Sequence, residues 1–305
     1  MLQITEFKSI VDLLKKFPDE QTCIDHIEAI RWGGVIVSPF DTTSKVYKCA
    51  GNKYKCKNTG KYFNCRTGTI FEDTKIPLQK WFMAAYLINN HKKGISSHQL
   101  ARDINITQKS AWFLNHRIRY AFGHENFQKT YNDVVQADET FVGGKNKNRH
   151  ADKKVPKSQG RSFKDKTPVL GVMQAGHVSL SVIPNTQAQT IKPIIEKLVK
   201  EGAILITDDW DAYASLAANY SHVIVDHQHG EYARGGFHTN SIEGFWSLFK
   251  RGVYGIYHYV SRKHLHRYCS EFSYRYNSRM MSDPQRFNLC FTSIDKRLTY
   301  KDLIK

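Results

Sequence analysis

The order of strand and helix patterns between residues 130 and 225 constrains the fold of this 305-residue chain more than any other feature. Three strand-like apolar stretches come first: VVQADETFVG, PVLGVMQAG and HVSLSVIP. They are followed by an amphipathic helix over 187–201, a fourth strand AILITDD, a helix DAYASLAANY, a fifth strand HVIVDH, and two helices near 241–251 and 262–278. Adjacent strands followed by alternating helix and strand are typical of an α/β domain with a mixed sheet.

Upstream of this domain the sequence predicts short helices and strands in blocks. Residues 1–32 have the periodicity of two helices separated by Pro18. Residues 35–71 contain short strands and turns such as KVYKCA, KYKC and KYFNC, with too little chain for a core of their own. Helical periodicity returns at PLQKWFMAAYLINNHKK, where Pro77 occupies an early-helix position.

The segment ISSHQLARDINITQKSAWFLNHRIRYAFG predicts a short helix, a tight turn at 105–107 and a longer helix from Gln108 to Ala121. Ser97 and Thr107 are placed to cap these two helices. A short helix, a tight turn and a basic second helix are typical of a helix-turn-helix that contacts DNA, and an ordinary helical hairpin is the alternative. The side chains expected to meet DNA here are Lys109, Arg117 and Arg119.

The charge balance predicts a polyanionic partner. The chain carries 45 Lys+Arg against 28 Asp+Glu, a net charge of +17 with a pI of about 9.5, and nucleic acid is the partner that this excess favours. The longest apolar stretch, Trp81 to Ile88, is far shorter than the ~20 residues of a membrane span. The N-terminus lacks a signal-peptide pattern, so the six cysteines are expected to be reduced thiols of a cytosolic protein.

The segment 144–166, between the first two predicted strands, concentrates positive charge. It holds nine Lys/Arg against Asp152 and Asp165. A solvated surface is the usual interpretation of such a run, but beside a carboxylate site a loop that grips DNA phosphates is favoured. The residues expected to do so are Lys145, Lys147, Arg149, Lys153, Lys154, Lys157 and Arg161.

Three acidic residues occupy positions from which they could converge. Asp138 lies within an otherwise apolar strand, Asp208 at the end of the fourth strand, and Glu243 at the start of a late helix. Convergent carboxylates repel one another, and hard divalent cations such as Mg²⁺ or Mn²⁺ relieve that repulsion. Each acid also has a structural interpretation, since Asp208 could cap a helix and Glu243 fits a capping box that begins at Asn240.

Long motifs in this chain resemble the insertion-sequence transposases of the DDE superfamily. The residues that carry the resemblance are ADETFVGGK, ITDDWDAY and HTNSIEGFWSLFKRGVYGIYHYVSRKHLHRYCSEFSYRYNSR, together with RTGTIFEDTKIPLQKWFMAAYL upstream. They are most similar to the ISXO-like group, and the similarity runs from about residue 5 to about residue 280. Members of this group join an N-terminal zinc-ribbon-like segment to a ribonuclease-H-like catalytic domain.

The resemblance implies a fold and a set of site residues. The fold would be a ribonuclease-H-like mixed sheet with flanking helices, preceded by a small zinc-ribbon-like segment and the helix-turn-helix. Asp138, Asp208 and Glu243 would bind two Mg²⁺ or Mn²⁺ ions. Lys250, seven residues beyond Glu243 on the same helix face, would meet a DNA phosphate. Asn240 would support the site by capping that helix, and His238 by touching substrate or ordering the loop.

The implied activity is transposition. Such a protein would bind terminal inverted repeats of double-stranded DNA, hydrolyse a phosphodiester at each end and transfer the strand to target DNA, as a homo-oligomer associated with the bacterial nucleoid. Two other functions stay open: a catalytically inactive DNA-binding regulator, and another ribonuclease-H-like nuclease. A zinc nuclease built on His222, His227, His229 and His238 is not favoured, because these histidines lack a recognisable ligand spacing.

The chain departs from the zinc-ribbon pattern, so zinc binding is not expected. The family's two CxxC pairs correspond to Ser38-Pro39-Phe40-Asp41 and Cys56-Lys57-Asn58-Thr59, which keep only Cys56 in register. The expected domains are 1–74, containing the degenerate ribbon, 75–125, containing the helix-turn-helix, 130–282 for catalysis, and a C-terminal tail over 283–305.

Overall fold

The computed structural model describes residues 7–143, 150–156, 165–208, 211–225 and 236–305, apart from the side chains of Asn126, Lys153, Asp211, Ala214 and Ser215. The chain divides into two compact units, Met1–Asn126 with Met280–Lys305, and Phe127–Arg279. We call them the terminal unit and the central unit. None of the helices that the structure describes combines the length and the hydropathy that crossing a bilayer requires.

The helices and strands are as follows. The helices are α1 Ile10–Lys16, α2 Glu20–Trp32, α3 Leu78–Asn90, α4 Ser97–Asp103, α5 Gln108–Phe122, α6 Ala188–Leu198, α7 Asn240–Gly255, α8 Leu265–Asn277, α9 Asp283–Phe291 and α10 Tyr300–Ile304. The strands are β1 Val46–Cys49, β2 Lys53–Cys56, β3 Tyr62–Phe63, β4 Val134–Gly143, β5 Lys166–Gln174, β6 His177–Val182, β7 Ile204–Asp208 and β8 Ser221–Val225.

The terminal unit contains α1–α5, α9, α10 and a small antiparallel sheet in the order β1-β2-β3. Helices α4 and α5 are joined by residues 104–107, and Thr107 caps α5 by accepting from the Ser110 N–H. The cap of α4 is Ser96, one residue before the predicted Ser97, because the Ser96 hydroxyl accepts from the Gln99 N–H.

The C-terminal residues do not form a tail, contrary to the prediction for 283–305. Helix α9 begins with a capping box at Ser282 and places Phe287 and Phe291 against Phe82 of α3, with ring centroids 5.3 and 5.1 Å apart. Both α9 phenylalanines are buried. The physical reason is the apolar face of this helix, which completes the core of the terminal unit although it is distant in sequence.

The central unit is a five-stranded mixed sheet with helices on both faces, as the strand and helix pattern predicted. The strand order is β6-β5-β4-β7-β8. Strands β4, β5 and β6 pair antiparallel, whereas β7 is parallel to β4 and β8 is parallel to β7. One face packs on α6, through Ile191 and Ile195, and the other on α7 and α8, through Phe245, Phe249 and Phe272.

Candidate active site

Two of the three predicted acids lie at the same level on neighbouring strands. The paired residues of β4 and β7 run from Val134 opposite Ile204 to Gln136 opposite Ile206, a constant offset of 70 residues. Two residues further along each strand, the same offset places Asp138 level with Asp208. Adjacent strands are ~4.8 Å apart where they pair, and beyond the last pair the charge of Asp208 still raises the pKa of Asp138, so the two carboxylates lie near each other.

The third acid comes from α7, which packs across the same face of β4. The Ile242 N–H in its first turn donates to Gln136 Oε1 over 3.1 Å, and the Trp246 indole Nε1–H donates to Asp138 Oδ2 over 2.9 Å. Glu243 lies between these two anchors and accepts from the Thr239 hydroxyl over 2.8 Å. The helix is therefore fixed to β4 on both sides of the glutamate.

A glycine makes room for the indole that contacts Asp138. Gly171 of β5 pairs with Asp138, and a Cβ at this glycine would lie 2.6 Å from the Trp246 ring and 3.1 Å from Ile242. No side chain fits at that distance without displacing the ring. A lone glycine inside a strand pattern indicates such a close approach, and this was the one signal that sequence reasoning could have used to find the contact.

The electrostatics of the site centre on Asp138. Burial, and then the negative charge of Asp208, raise the pKa of this carboxyl to about 6, with a smaller contribution from the charge of Glu243. Hydrogen bonds from the Glu139 N–H, 2.8 Å from Oδ1, and from Trp246 lower the pKa but do not cancel that rise. Negative charge is therefore concentrated around Asp138.

A fourth acid, which sequence reasoning missed, lies on the opposite face of β4. Glu139 accepts from the hydroxyl of Tyr213 over 2.6 Å, and Tyr213 is fully buried with Val135 and Ala137 in the core beside α6. Burial, followed by the charge of Glu139, raises the pKa of Tyr213 well above its usual value. The pair anchors the strand behind Asp138, and no sequence signal distinguished it from the surrounding core.

The donor chemistry of the site fits a hard divalent cation. Asp138, Asp208 and Glu243 offer carboxylate oxygens, which Mg²⁺ and Mn²⁺ prefer, and a cation would relieve the repulsion that raises the pKa of Asp138. Within the described part of the chain, no group of three or more His, Cys, Asp or Glu side chains is already gathered closely enough to hold a metal ion.

Other predicted residues of the site lie along or just before α7. Lys250 is exposed two turns beyond Glu243, which is also exposed, so the two side chains share one solvent-accessible side of the helix. His238 precedes the helix, and its Nδ1 is enclosed without a hydrogen-bond partner among the described residues. The expectation that Asn240 caps the helix is wrong, because the N-cap is Thr239 and Asn240 is the exposed first helical residue.

The three α5 residues that were predicted to contact DNA differ in their exposure to solvent. Lys109 is exposed near the start of the helix. Arg117 is buried instead, and its guanidinium donates to the backbone carbonyls of Leu298, Ile70 and Glu72 over 2.8–3.0 Å. Arg119 is also buried, at 2% exposure. In this fold the two arginines support the terminal unit rather than face DNA, because the helix directs them into the core.

The basic segment between β4 and β5 is described only in part. Lys154 is exposed just after a 3₁₀ turn at Ala151–Lys153. The side chain of Lys153, together with Lys145, Lys147, Arg149, Lys157 and Arg161, lies outside the described residues.

The positions that replace the CxxC pairs contact one another at the end of strand β2. Burial raises the pKa of the Cys56 thiol, but hydrogen bonds from Ser38, Ser44 and Thr59 outweigh it and lower the pKa to about 6. Asp41 accepts instead from the backbone and hydroxyl of Thr43 and from the Asn58 amide. One thiolate among hydroxyl groups does not match the thiolate-rich donor set of a structural zinc site, so these residues do not fit zinc.

Comparison with known proteins identifies the family of this chain. The model of the ISXO2-like transposase domain matches residues 130–277, which span the sheet, α7 and α8. An uncharacterized transposase-like protein of Haemophilus influenzae is 31% identical over 98 residues, which cover 32% of this chain and 78% of that protein. The chain belongs to the ISXO2-like transposase family. The family resemblance seen in the sequence motifs is thereby confirmed.

A second relative of this ISXO2-like transposase matches over most of its length. An uncharacterized protein in the transposable element ISH50 of Halobacterium salinarum is 26% identical over 276 residues, 86% of this chain and 92% of the relative. Among solved structures, a pre-cleavage Mos1 transpososome is 12% identical and covers 72% of this chain and 80% of that chain, with a TM-score of 0.25. That score is too low to indicate a shared overall fold.

Proposed function

We propose that this ISXO2-like transposase acts on the ends of its own insertion sequence. It would bind terminal inverted repeats, hydrolyse a phosphodiester at each end and join the freed 3′-hydroxyl to target DNA. The observation that carries this proposal is the alignment of Asp138 with Asp208 on neighbouring strands, beneath the helix that carries Glu243. We also assign the central sheet to the ribonuclease-H-like class, on the support of its strand order, in which the strand bearing the first acid is central.

Three carboxylates would hold the divalent ions. Asp138 is the central ligand, because its neighbours on β7 and α7 both act on its charge, and Asp208 and Glu243 complete the set. Bound Mg²⁺ or Mn²⁺, as a pair of ions, would activate the attacking hydroxyl and stabilise charge on the leaving oxygen. Hydrolysis and strand transfer are both in-line displacements at phosphorus, so one site serves both.

The chain's own side chains would position the DNA around this site. Trp246 holds the Asp138 carboxylate in one orientation through its indole N–H. Lys250, exposed on the same helix, would neutralise a phosphate near the scissile bond. His238, half-buried before the helix, would donate to substrate or order the loop.

DNA outside the site would meet basic residues of both units. Lys109 at the start of α5 belongs to the proposed helix-turn-helix, and Lys154 to the proposed phosphate-gripping segment, with the other basic residues of 144–166. Because two element ends must be processed together, we expect assembly into a homo-oligomer on DNA.

Cleavage of a supercoiled plasmid tests the function. The plasmid carries the chain's coding region with its native flanks and is incubated with purified protein and Mg²⁺ or Mn²⁺. Asp138→Ala and Glu243→Gln are expected to abolish nicking at the flanks while DNA binding is retained. The matched control is Glu201→Ala, which removes an exposed acid from the same unit away from the site.

Each other outcome identifies an alternative. Binding without nicking by the wild-type protein would indicate a regulator. Faster cleavage of an RNA–DNA hybrid than of the flanks, without strand joining, would indicate another ribonuclease-H-like nuclease. Equal nicking by wild type and Asp138→Ala would refute the assigned site.

A further inference from the structure

The outer face of the small sheet in the terminal unit combines lysines with exposed tyrosines. Tyr47 of β1 pairs with Lys55 of β2, and Lys55 pairs with Tyr62 of β3, so the three form one row across the sheet. Tyr47 and Tyr62 are 42% and 58% exposed. Their neighbours in the strands, Tyr54 and Phe63, point the other way and are buried. The row is therefore the outer face of a sheet whose inner face is already packed.

Positive charge surrounds this row. Alternation along the strands places further lysines on the outer face, with Lys45 and Lys57 joined by a backbone hydrogen bond beyond Tyr47 and Lys55. The Lys45 ammonium lies 5.5 Å from the Tyr47 ring, and the Lys55 ammonium 5.5 Å from the Tyr62 ring. We call this surface the basic–aromatic face. It consists of Lys45, Tyr47, Lys53, Lys55, Lys57 and Tyr62.

The surrounding sequence has no compensating acid. Between Asp41 and Glu72 the chain has seven Lys/Arg and no Asp or Glu. A solvated lysine surface would not need two large rings in the same row, and an apolar partner would not need the lysines. Rings interleaved with positive charge match a ligand that has flat π-faces and phosphates, which is a nucleic acid.

The geometry favours unpaired bases over a duplex. In a duplex the π-faces are stacked on one another and only base edges and phosphates are accessible, whereas unpaired bases can stack on aromatic side chains. Tyr47 and Tyr62 are two strands apart, so their backbones are separated by ~10 Å. Successive bases of an extended strand could reach both rings.

A depression beside Tyr62 offers room for a base. Its volume is about 310 Å³, and it is lined by Lys53, Tyr62, Phe63, Asn64 and Thr67. That is the lower end of the ~300–1,000 Å³ of small-ligand pockets. The Asn64 amide nitrogen makes no hydrogen bond within the described part of the chain, whereas its Oδ1 accepts from the Arg66 N–H over 2.9 Å. A ring, a cation and an amide donor thus surround one cavity.

We propose that the basic–aromatic face binds single-stranded DNA, with bases stacked on Tyr47 and Tyr62 and phosphates held by the four lysines. The choice of DNA rests on the proposed function, whereas the preference for an unpaired strand rests on this surface alone. The face belongs to a different unit from the carboxylates, so its binding needs no metal and no catalysis.

Fluorescence anisotropy of the full-length protein in EDTA tests the proposal. The probe is a labelled pyrimidine DNA strand of roughly 16 nucleotides, compared with a hairpin duplex and an RNA of the same length. Tyr47→Ala and Tyr62→Ala are each expected to weaken binding of the DNA strand about tenfold or more, whereas Tyr62→Phe stays within about threefold, because stacking needs the ring and not the hydroxyl. Lys55→Ala should lower the salt dependence by about 0.7 in log–log slope.

Two variants serve as controls. Tyr259→Ala removes a tyrosine of the central unit that is 73% exposed, and should bind as wild type. Tyr62→Leu replaces the ring by a large aliphatic side chain without an aromatic face, so a loss of binding in this variant with an unchanged melting temperature excludes misfolding.

Several results would overturn the proposal. Duplex binding as tight as single-strand binding would do so, as would tyrosine variants without effect or tighter binding of the RNA. Asp138→Ala should bind the single strand normally, so failure of the catalytic proposal leaves this measurement intact, and the reverse also holds.

Discussion

Replacing Asp138 by Asn is expected to change how the stability of the central unit depends on pH when no divalent cation is present. The pKa of Asp138 is about 6 in the fold against 3.8 for the unfolded carboxyl. At 1.36 kcal/mol per pKa unit, ionising this buried group in the folded state costs about 3 kcal/mol. Because the folded pKa is the higher one, that penalty is absent below pH 3.8, develops as pH rises toward about 6 and is then constant.

Asn cannot ionise, so the variant should escape this penalty. Compared with wild type, its free energy of unfolding should rise by about 2 kcal/mol between about pH 4.5 and pH 7.5, the part of the penalty that falls in that interval. A constant offset will accompany this change. Asn has one acceptor oxygen, whereas Asp138 accepts from both Glu139 and Trp246. The offset does not depend on pH, so the slope isolates the ionisation.

Urea unfolding in EDTA over this pH range measures the effect, with thermal melts in parallel. For a unit of this size, each kcal/mol corresponds to ~2–4 °C in Tm. Asp133→Asn is the matched control, because Asp133 is an exposed acid just before β4 and should give a flat difference across pH. A flat difference for Asp138→Asn, or one that falls as pH rises, would refute the proposed cluster of charge.

Four further predictions follow from the same contacts. Millimolar Mg²⁺ or Mn²⁺ at neutral pH should raise the Tm of wild type more than that of Asp138→Asn, because a ligand of the native state alone stabilises it. Gly171→Ala should displace the Trp246 ring, altering tryptophan fluorescence and abolishing nicking. Arg117→Met should destabilise the terminal unit by about 3 kcal/mol or more, since three buried carbonyls lose their donor, without changing the salt dependence of DNA binding. Ser38→Ala should raise the pKa of the Cys56 thiol above about 6, measured by the ultraviolet absorbance of the thiolate.

Each of these four predictions has a result that would contradict it or a matched control variant. An equal rise in Tm for wild type and Asp138→Asn on adding the cation would show that Asp138 does not bind it. For Gly171, an alanine variant with native fluorescence and full nicking would contradict the close approach. Lys109→Met is the counterpart of Arg117→Met, because it should lower the salt dependence of DNA binding and leave stability unchanged. An unaltered thiol titration after Ser38→Ala would show that the hydroxyl does not act on Cys56.

The order of strands and helices in the central unit could be predicted because it depends on local periodicity. The register of the sheet could not, because it depends on which strands pair and on how they slide. Asp138 and Asp208 are 70 residues apart, and the offset between β4 and β7 is also 70, but only the paired strands show that these two numbers coincide. The sequence alone could therefore offer the proximity of these two acids only as a hypothesis.

The arginines of α5 illustrate the opposite case. The helix was predicted correctly, but the expectation that its arginines face solvent and DNA was wrong. The helix begins at Gln108 after the Thr107 cap, as predicted, and ends at Phe122, one residue beyond the predicted Ala121. Net charge alone then favoured DNA contact for Arg117. Charge composition does not specify direction, and the side chain instead donates to carbonyls of Leu298, Ile70 and Glu72, which are distant in sequence. The missing information was the packing of the C-terminal segment on the terminal unit.

The free-energy cost of ionising Asp138 in the folded state is relevant to the arrangement of the residues around it. A carboxylate whose ionisation opposes folding by about 3 kcal/mol would be replaced by a neutral residue at little loss if stability alone mattered. Here the surroundings disfavour the charged form of the carboxyl and nevertheless hold the group in one orientation. Gly171 leaves space for an indole whose only polar group points at the carboxylate, and Glu243 adds a further negative charge from α7. The cation that we propose to bind there during the reaction would relieve this repulsion, and it would account for surroundings that both raise the pKa of the carboxyl and orient it.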